Sequence, residues 1–431
     1  MMKRQAFGWH ATFDYRKINH IHYTNTRYIK GGRRVPSLFS VILFYIGRII
    51  YFSLSRNWKY ASVKNVLFIA PSINNQRSLE PIANALMNKD YTFCTSLHQI
   101  LPYARVYWYS ILWFPSFLKL YYSSTKDEKS MIRSHYSYFL SAPGIVQVAS
   151  IFFRKNAHIK VAVFSNDHTS PIRSIIQAAK DCNIKTLYTQ HASVTNLFPP
   201  LIFDYNFLDG KESFEKYLEC GEIGGNVFLS GSPRFDFISN IQGKKRTSIG
   251  IAFNLMDDVK KVYETCSFLV THNYTIEVRP HPRQKGIDWE PFKVLGISVS
   301  NPASETSFEF LNRQKVIIAG SSSIHLDSAL MRIPSVLYNW TNGGMIDSYG
   351  YCEKNLVPCA NSDVELIKIL QNISLPPKEL VQYYVSSFGT SFQGKTSLLI
   401  AGFIEALSDN RLQSFIDTHF QYYQSNYYTI R

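Results

Sequence analysis

Short apolar runs alternate with stretches of helical periodicity over most of the chain after residue 60. In the first half, the runs predict buried strands, and the stretches between them place apolar residues on one face of a helix. The strands are predicted at 66–70, 91–95, 160–164, 185–189, 203–208 and 227–230. The helices are predicted at 78–87, 172–182 and 213–220. Such alternation predicts a parallel sheet covered by helices.

A second half with the same alternation follows a polar linker at 239–248. Its strands are predicted at 249–253, 274–278, 316–319 and 335–338. Its helices are predicted at 257–269, 324–331, 363–372 and 376–386, with a last one from Ser397. The predicted fold class is therefore α/β, with two doubly wound Rossmann-like domains facing a cleft.

These patterns also give the domain boundaries. An N-terminal helical extension, basic and partly apolar, occupies 1–60, and the first Rossmann-like domain occupies 61–238. The second domain is predicted at 239–390, followed by closing helices at 391–431. We expect the first domain to bind an acceptor and the second to bind a nucleotide.

The positive charge is concentrated at the N-terminus. The 431 residues include 46 Lys and Arg against 31 Asp and Glu, which gives a net charge of +15. Residues 1–60 contain eleven of these basic residues and a single acid, Asp14, so this segment alone carries +10. A body that coats nucleic acid would carry its basic residues throughout. The distribution instead favours an extension that faces anionic lipid, so we expect an anionic membrane surface and no nucleic acid as partner.

Two apolar stretches suit a membrane interface. The charge-free run at 35–47 is shorter than the roughly 20 apolar residues that a spanning helix needs, and Arg48 interrupts it before it continues to Ser55. A helix lying in the membrane interface and a helix buried on the main body both fit this stretch. The aromatic-rich stretch at 100–122 leaves the same two alternatives, a membrane interface or an aromatic core.

The cysteines and the known cofactor motifs give little indication of bound groups. The six cysteines are scattered without paired spacing, so reduced thiols in a cytosolic protein are expected. The sequence has no zinc-finger spacing and no Asp-x-Asp, so we predict neither a metal nor another cofactor. It also lacks the phosphate-binding P-loop and the nucleophile elbow of α/β-hydrolases.

Polar residues that directly follow predicted strands are the candidates for a functional site, because these positions face the cleft of an open parallel sheet. In the first domain, Asp167 and His168 follow one strand and His191 follows the next. An imidazole titrates near neutrality, so His191 is the candidate general base, with Asp167 or His168 beside it. Ordinary hydrogen-bonded turns explain these residues equally well.

In the second domain, Arg279 and His281 lie at the end of one strand. Another strand leads into a glycine and three serines that begin a helix: Gly320, Ser321, Ser322 and Ser323. Free backbone amides and hydroxyl groups at a helix start favour a phosphate, although ordinary capping of the helix is the alternative. Arg279 and His281 add donors for further phosphate oxygens. Together, the two clusters predict a nucleotide-phosphate site.

At these clusters, over roughly residues 160–340, the chain resembles GT-B-fold transferases of bacterial surface-polysaccharide synthesis. That group includes CDP-glycerol glycerophosphotransferases, sialyl- and polysialyltransferases and capsule Kdo transferases. The resemblance rests on a His-Pro pair, a Ser-Ser pair and a Gln-His turn: His281 with Pro282, Ser321 with Ser322, and Gln190 with His191. In such enzymes the first two motifs bind the cytidine nucleotide and its phosphate, and the histidine of the third lies near the reacting centre. By the same resemblance, Asp327 replaces a Glu that contacts the ribose, and residues 231–236 match a Gly-x-Pro-Arg-x-Asp turn before the interdomain linker.

The resemblance implies a metal-independent glycosyltransferase that moves a sugar from a nucleotide-activated donor, CMP- or CDP-linked, to a lipid-linked or oligosaccharide acceptor. It implies a peripheral protein on the cytoplasmic face of the cell membrane, in capsule or lipopolysaccharide synthesis. Three alternatives stay open. They are a polyol-phosphate transferase such as a glycerophosphate transferase, a nucleotide-sugar 2-epimerase of the same fold, and a catalytically silent scaffold subunit.

Overall fold

The computed structural model describes residues 14–20, 36–54, 62–166, 168–194, 198–240, 246–424 and 426–431. The chain divides into two compact units, each with its own sheet, which is wholly parallel in unit 2 and parallel except for its last strand pair in unit 1. Unit 1 comprises residues 1–234 and 395–431, and unit 2 comprises residues 235–394. The prediction of an α/β chain with two parallel-sheet domains is confirmed, and all ten predicted strands are present within two residues of their expected ends.

Unit 1 begins with two helices, α1 (Tyr15–Ile18) and α2 (Leu38–Ser53). The first strands and the helix between them follow: β1 (Val66–Ile69), α3 (Ile73–Ala85) and β2 (Tyr91–Cys94). Next, after a 3₁₀ turn at Leu97–Gln99, come four helices: α4 (Tyr103–Ile111), α5 (Phe114–Ser123), α6 (Lys126–Ser134) and α7 (Tyr136–Lys155). The remaining elements alternate: β3 (Val161–Phe164), α8 (Ser170–Asp181), β4 (Lys185–Thr189), β5 (Tyr205–Leu208), α9 (Lys211–Cys220) and β6 (Asn226–Leu229). β1 and β3 are buried along their whole length, because helices cover both faces of a parallel sheet.

Helix α7 is the core helix of unit 1. It is the single helix in the described part of the chain that is long and apolar enough to cross a membrane, but 78% of its apolar window is buried inside the protein. Gly144 of α7 lies so close to the Val106 carbonyl of α4 that a side chain there would collide with it. The Gly144 N–H donates to the Ser110 hydroxyl at 3.1 Å. This close packing is why a 20-residue apolar helix serves here as core.

The described parts of the predicted extension are packed on unit 1. The guanidinium of Arg173, buried at the start of α8, donates two hydrogen bonds to the Lys17 carbonyl at 3.1 and 3.2 Å. The Tyr45 hydroxyl of α2 donates to the Tyr107 carbonyl of α4 at 2.8 Å. Residues 1–13, 21–35 and 55–61 lie outside the described residues.

Unit 2 starts with a 3₁₀ segment at Pro233–Asn240, which overlaps the last two residues of unit 1. Its strands are β7 (Ser248–Phe253), β8 (Ile276–Pro280), β9 (Ser298–Val299), β10 (Gln314–Ala319), β11 (Ser335–Tyr338) and β12 (Cys359–Ala360). Its helices are α10 (Val259–Thr271), α11 (Glu290–Val294), α12 (Ser307–Leu311), α13 (Ile324–Leu330), α14 (Asp363–Asn372) and α15 (Lys378–Tyr384). All strand pairs are parallel, in the order β12-β11-β10-β7-β8-β9.

The closing segment returns to unit 1 and differs from the prediction of helices alone. Two helices, α16 (Thr396–Ser408) and α17 (Leu412–His419), are followed by β13 (Phe420–Gln424) and β14 (Tyr427–Ile430). β14 pairs in parallel with β6, which gives an eight-stranded sheet of order β13-β14-β6-β5-β4-β3-β1-β2. Aromatic residues favour strands, and Tyr427 stacks on Phe214 at 4.5 Å. The tyrosine-rich tail is therefore strand rather than helix.

One pair of cysteines departs from the expectation of reduced thiols. Cys352 and Cys359 form a disulfide, with their α-carbons 6.1 Å apart. The expectation is wrong for this pair because the chain turns back between Cys352 and β12. A spacing of seven residues does not show such a turn.

Candidate functional site

The carboxyl ends of four adjacent strands form one edge of unit 1. β3, β4, β5 and β6 are neighbours in the sheet and all run in parallel. Their registers pair Phe164 with Tyr188, Thr189 with Phe207, and Leu208 with Leu229. The residues that follow each strand therefore lie side by side, as expected for an open parallel sheet.

The structure brings His168 and His191 together at this edge. Their rings stack with centroids 5.9 Å apart, and the His168 ring also stacks on Phe198 at 4.9 Å. The Asn166 side chain accepts the His168 N–H at 3.2 Å, which fixes the turn after β3. Asp167, the third residue predicted here, lies outside the described residues. Both imidazoles are half-buried at this edge, next to an aromatic ring.

Gln190 fixes the turn that carries His191. Its side-chain carbonyl accepts the Asp209 N–H at 3.0 Å, and its amide donates to the Ala192 carbonyl at 3.0 Å and the Ser213 hydroxyl at 2.9 Å. Gln190 is buried, and these bonds tie the end of β4 to the end of β5. Gln190 therefore holds the backbone turn that carries His191 in place.

A partly buried ion pair at the same edge was not predicted from the sequence. Asp209 follows β5 and is 4% exposed, and Arg234 donates to its carboxylate at 3.3 Å. Burial raises the pKa of Asp209 to about 6, although the Arg234 guanidinium opposes this shift. The Gly-x-Pro-Arg-x-Asp pattern contains Arg234 and could have indicated one member of this ion pair. The sequence did not indicate its partner.

In unit 2, the carboxyl ends of β8, β7 and β10 form a corresponding edge. β7 lies between the other two strands, and its register pairs Phe253 with Pro280 and Ala252 with Ala319. His281 follows β8 and Gly320 follows β10, so two strand spacings of about 4.8 Å each separate their backbones, about 10 Å in all.

The loop at 320–323 presents several hydrogen-bond donors. Among the described residues, the main-chain N–H groups of Ser321, Ser322 and Ser323 have no hydrogen-bond partner. The Ser321 hydroxyl accepts the Ser348 N–H at 3.0 Å, and the Ser322 hydroxyl accepts the Ile324 N–H at 3.3 Å. Each hydroxyl keeps its own O–H for donation. All three serines are half-buried, and α13, which they precede, has only seven residues. A helix this short adds little through its dipole, so the N–H and O–H donors of the loop itself are the main groups available to bind an anion.

His281 is arranged as a neutral donor. Its Nδ1 accepts the Arg283 N–H at 3.1 Å, so the ring proton belongs on Nε2. Burial, helped by the nearby Arg283 charge, lowers the pKa of His281 below its usual value. A neutral imidazole with an Nε2–H donor suits a phosphate or ribose oxygen.

Arg279 is used inside unit 2. Its guanidinium donates to the Ser300 hydroxyl at 2.6 Å and to the Glu305 carbonyl at 2.9 Å, and it pairs with the Glu305 carboxylate at 3.6 Å. The side chain is 8% exposed. Glu305 also binds Arg313 at 2.8 Å. The structure thus favours a supporting role for Arg279, in place of the phosphate contact that its position suggested.

Two buried groups that the sequence did not identify support the 320–323 loop. The carboxylate of Asp257 lies against Gly320, and burial raises its pKa to about 6. His325 Nε2 donates to the Gly320 carbonyl at 3.1 Å, and its Nδ1 accepts the Ser335 hydroxyl at 3.1 Å. Burial lowers the pKa of His325 to about 4, so it is neutral at pH 7.

The last predicted residue, Asp327, is half-buried in the first turn of α13, where its N–H donates to the Ser323 carbonyl at 3.3 Å. Its place one turn beyond the serines keeps it at the same edge. No cluster of three or more His, Cys, Asp or Glu side chains that could hold a metal occurs among the residues the structure describes.

Comparison with known proteins gives structural similarity alone. No family model and no curated protein sequence matches the chain. A UDP-N-acetylglucosamine 2-epimerase aligns over 82% of this chain and 98% of its own, with 10% identity and a TM-score of 0.49. A UDP-GlcNAc 2-epimerase from Neisseria meningitidis, bound to UDP-GlcNAc, aligns over 79% and 99%, with 10% identity and a TM-score of 0.48. The wall teichoic acid polymerase TagF aligns over 87% and 98%, with 14% identity and a TM-score of 0.45. Any reaction must therefore be assigned from the residues of this chain.

Proposed function

We propose that the protein is a glycosyltransferase that moves a sugar from a CMP- or CDP-linked donor to a hydroxyl of a lipid-linked or growing surface glycan. The reaction would take place at the cytoplasmic face of the membrane. The observation that carries the proposal is the set of donors at one edge of unit 2, formed by the 320–323 loop and His281.

The donor side of the reaction follows from these groups. The serine hydroxyls and free amides of the loop donate to phosphate oxygens, and His281, whose backbone lies about 10 Å away along the edge, donates from Nε2. That span fits a nucleotide with its phosphate better than a lone phosphate ion. When the bond between the sugar and the phosphate breaks, these donors stabilise the negative charge on the leaving nucleotide.

The acceptor side is assigned to unit 1. His191 takes the proton from the acceptor hydroxyl, the freed oxygen attacks the anomeric carbon of the sugar, and the nucleotide leaves with the electron pair of the broken bond. His168 stacks on His191 and keeps its ring in place. Gln190 holds the turn that carries His191 through its bonds to Ala192 and Asp209.

A thermal-shift panel of nucleotides tests the donor class. CMP or CDP should raise the melting temperature of the full chain, because a ligand that binds only the folded state stabilises it. Replacing the three loop serines with alanine should remove most of this shift. A preference for UDP would overturn the cytidine assignment, and an unchanged thermal shift in the variant without the three loop serines would overturn the site.

Activity assays separate the remaining reactions. Turnover of a free nucleotide sugar without any acceptor would identify an epimerase. Transfer of label from the glycerol phosphate of CDP-glycerol would identify a polyol-phosphate transferase. Nucleotide binding without turnover across donors and acceptors would identify a silent subunit and overturn the proposed enzyme.

A further inference from the structure

Helix α2 has two different apolar faces. Its inner face packs on α4, where Phe52 stacks on Tyr107 at 5.6 Å and Val41 and Tyr45 are buried. The sequence left two alternatives for this helix, burial on the main body or a membrane interface. The inner face agrees with the first alternative, and it leaves the opposite face uncovered.

The outer face of α2 is an exposed apolar stripe. Its members recur at intervals of three or four residues and are 48–76% exposed: Phe39, Leu43, Ile46, Ile50 and Leu54. The stripe contains no charged residue and extends about 22 Å along the helix. Scattered single apolar residues are normal on a protein surface, but a continuous stripe of five large ones indicates a binding surface.

The helices next to α2 expose a mixed aromatic and basic surface. α4 exposes Trp108 and Ile111, and Leu112 follows at its end. Arg105 and Lys119 are the charged residues between Tyr91 and Thr125, and both are exposed. Trp beside Arg or Lys is the composition that proteins use at the level of lipid headgroups.

The charge of the surrounding sequence identifies the partner. No acidic residue occurs between Asp14 and Glu80, which flank α2 widely on both sides, and none occurs between Asp90 and Asp127. A second copy of this surface would bring like charges together, whereas an anionic bilayer attracts them. The 16 residues of α2 span about 24 Å, less than the roughly 30 Å of a hydrocarbon core, so the helix lies along the bilayer surface.

We propose that the outer face of α2 docks the protein on an anionic phospholipid bilayer. The apolar stripe enters the interface, and Arg105 and Lys119 contact the headgroups. This docking surface does not depend on the reaction assigned to the site, because its residues belong to other elements.

Co-sedimentation of the full chain with vesicles tests the proposal. Binding to vesicles of equal parts phosphatidylglycerol and phosphatidylcholine should exceed binding to phosphatidylcholine alone by about tenfold, and salt should weaken it. The triple variant Leu43→Ser, Ile46→Ser, Ile50→Ser should lose about tenfold in vesicle affinity. As a matched control, Val294→Ser with Val364→Ser changes residues that are 83% and 61% exposed in unit 2, and should bind like the wild type.

Two further measurements make the result decisive. Unchanged circular dichroism and melting temperature of the triple variant show that lost binding is not unfolding. If that variant still bound anionic vesicles as the wild type does, the proposal would be overturned. It would also be overturned if light scattering without lipid showed a dimer that the triple variant abolishes, because a second copy would then occupy the stripe.

Discussion

The carboxylate of Asp257 lies directly against the α-carbon of Gly320, closer than any side chain on that carbon would allow. The Asn254 side chain, in the same turn as Asp257, donates to the Ser321 carbonyl at 3.1 Å. The turn after β7 thus holds the loop after β10 through both van der Waals contact and a hydrogen bond. A glycine at position 320 is a steric requirement of the proposed phosphate loop.

Gly320→Ala should weaken nucleotide binding and destabilise unit 2. The added methyl group must displace Asp257 or shift the 320–323 loop, and overpacking of this kind typically costs about 1–3 kcal/mol of unfolding free energy. Denaturant unfolding and nucleotide titration measure the two effects. Gly343→Ala is the matched control, because a Cβ atom there meets nothing within 4 Å. Equal behaviour of the two variants would contradict the packing argument.

Asp257 should make donor affinity depend on pH. Because its pKa is raised to about 6, the carboxylate is mostly protonated at pH 5 and ionised at pH 8, where its charge opposes a bound phosphate. The affinity for a CMP-linked sugar, whose phosphodiester does not titrate in this range, should fall about tenfold from pH 5 to pH 8. Protonation of His281 at low pH also favours phosphate binding, so it changes the donor affinity in the same direction. The Asp257→Asn variant is therefore compared with the wild type at each pH.

Asp257→Asn removes the ionisable group and should bind the donor at pH 8 more tightly than the wild type. Its neighbour Asp258 is the matched control, since Asp258→Asn changes an exposed carboxylate that caps α10 through the Lys260 N–H. Isothermal titration calorimetry at pH 5 and pH 8 measures the affinities. An equal pH dependence in Asp257→Asn and wild type would exclude the Asp257 charge as its source.

His325 should make the fold sensitive to acid. Its pKa is lowered from 6.5 to about 4 in the folded state, so the unfolded chain takes up a proton first as the pH falls. The stability that the neutral ring contributes is complete above pH 6.5 and is lost as the pH falls towards 4. The pKa difference corresponds to about 3 kcal/mol.

Comparison with His325→Gln isolates this effect. The buried carboxylates of Asp209 and Asp257 titrate in the opposite sense, with stability lost as the pH rises from about 4 to about 6, and they partly mask His325 in the wild type. They cancel in the difference between wild type and variant. That difference in unfolding free energy should be largest at pH 7 and shrink by about 3 kcal/mol at pH 4. A constant difference would show that His325 is not buried as a neutral ring.

The sequence predicted where the candidate site residues lie relative to the strands better than it predicted their contacts. His191, His281 and the three serines lie where expected, because parallel strands bring their carboxyl ends to one edge whatever the side chains are. Arg279 satisfied the same criterion, yet its guanidinium is bound by Ser300 and Glu305, which lie 21 and 26 residues further along the chain. Contacts between residues so far apart in sequence depend on how β8 packs against the loop that follows it. A single sequence does not show that packing.

Burial was the second property that the sequence did not reveal. Asp257 and His325 are ordinary polar residues in the pattern, one before a helix and one within a helix. Their shifted pKa values come from exclusion of water by the surrounding core. The two apolar faces of α2 illustrate the same point, since its periodicity does not show which face is covered.

His191→Ala should abolish transfer while leaving donor binding intact. The imidazole is proposed to accept the proton of the acceptor hydroxyl, and removing a general base typically lowers kcat by about 10²- to 10⁴-fold. The nucleotide is assigned to unit 2, so its thermal shift should not change. His272→Ala, at an exposed histidine of unit 2, controls for loss of an imidazole elsewhere. Full transfer by His191→Ala with the correct donor would exclude His191 as the base, and loss of nucleotide binding in that variant would contradict the assignment of the two roles to separate units.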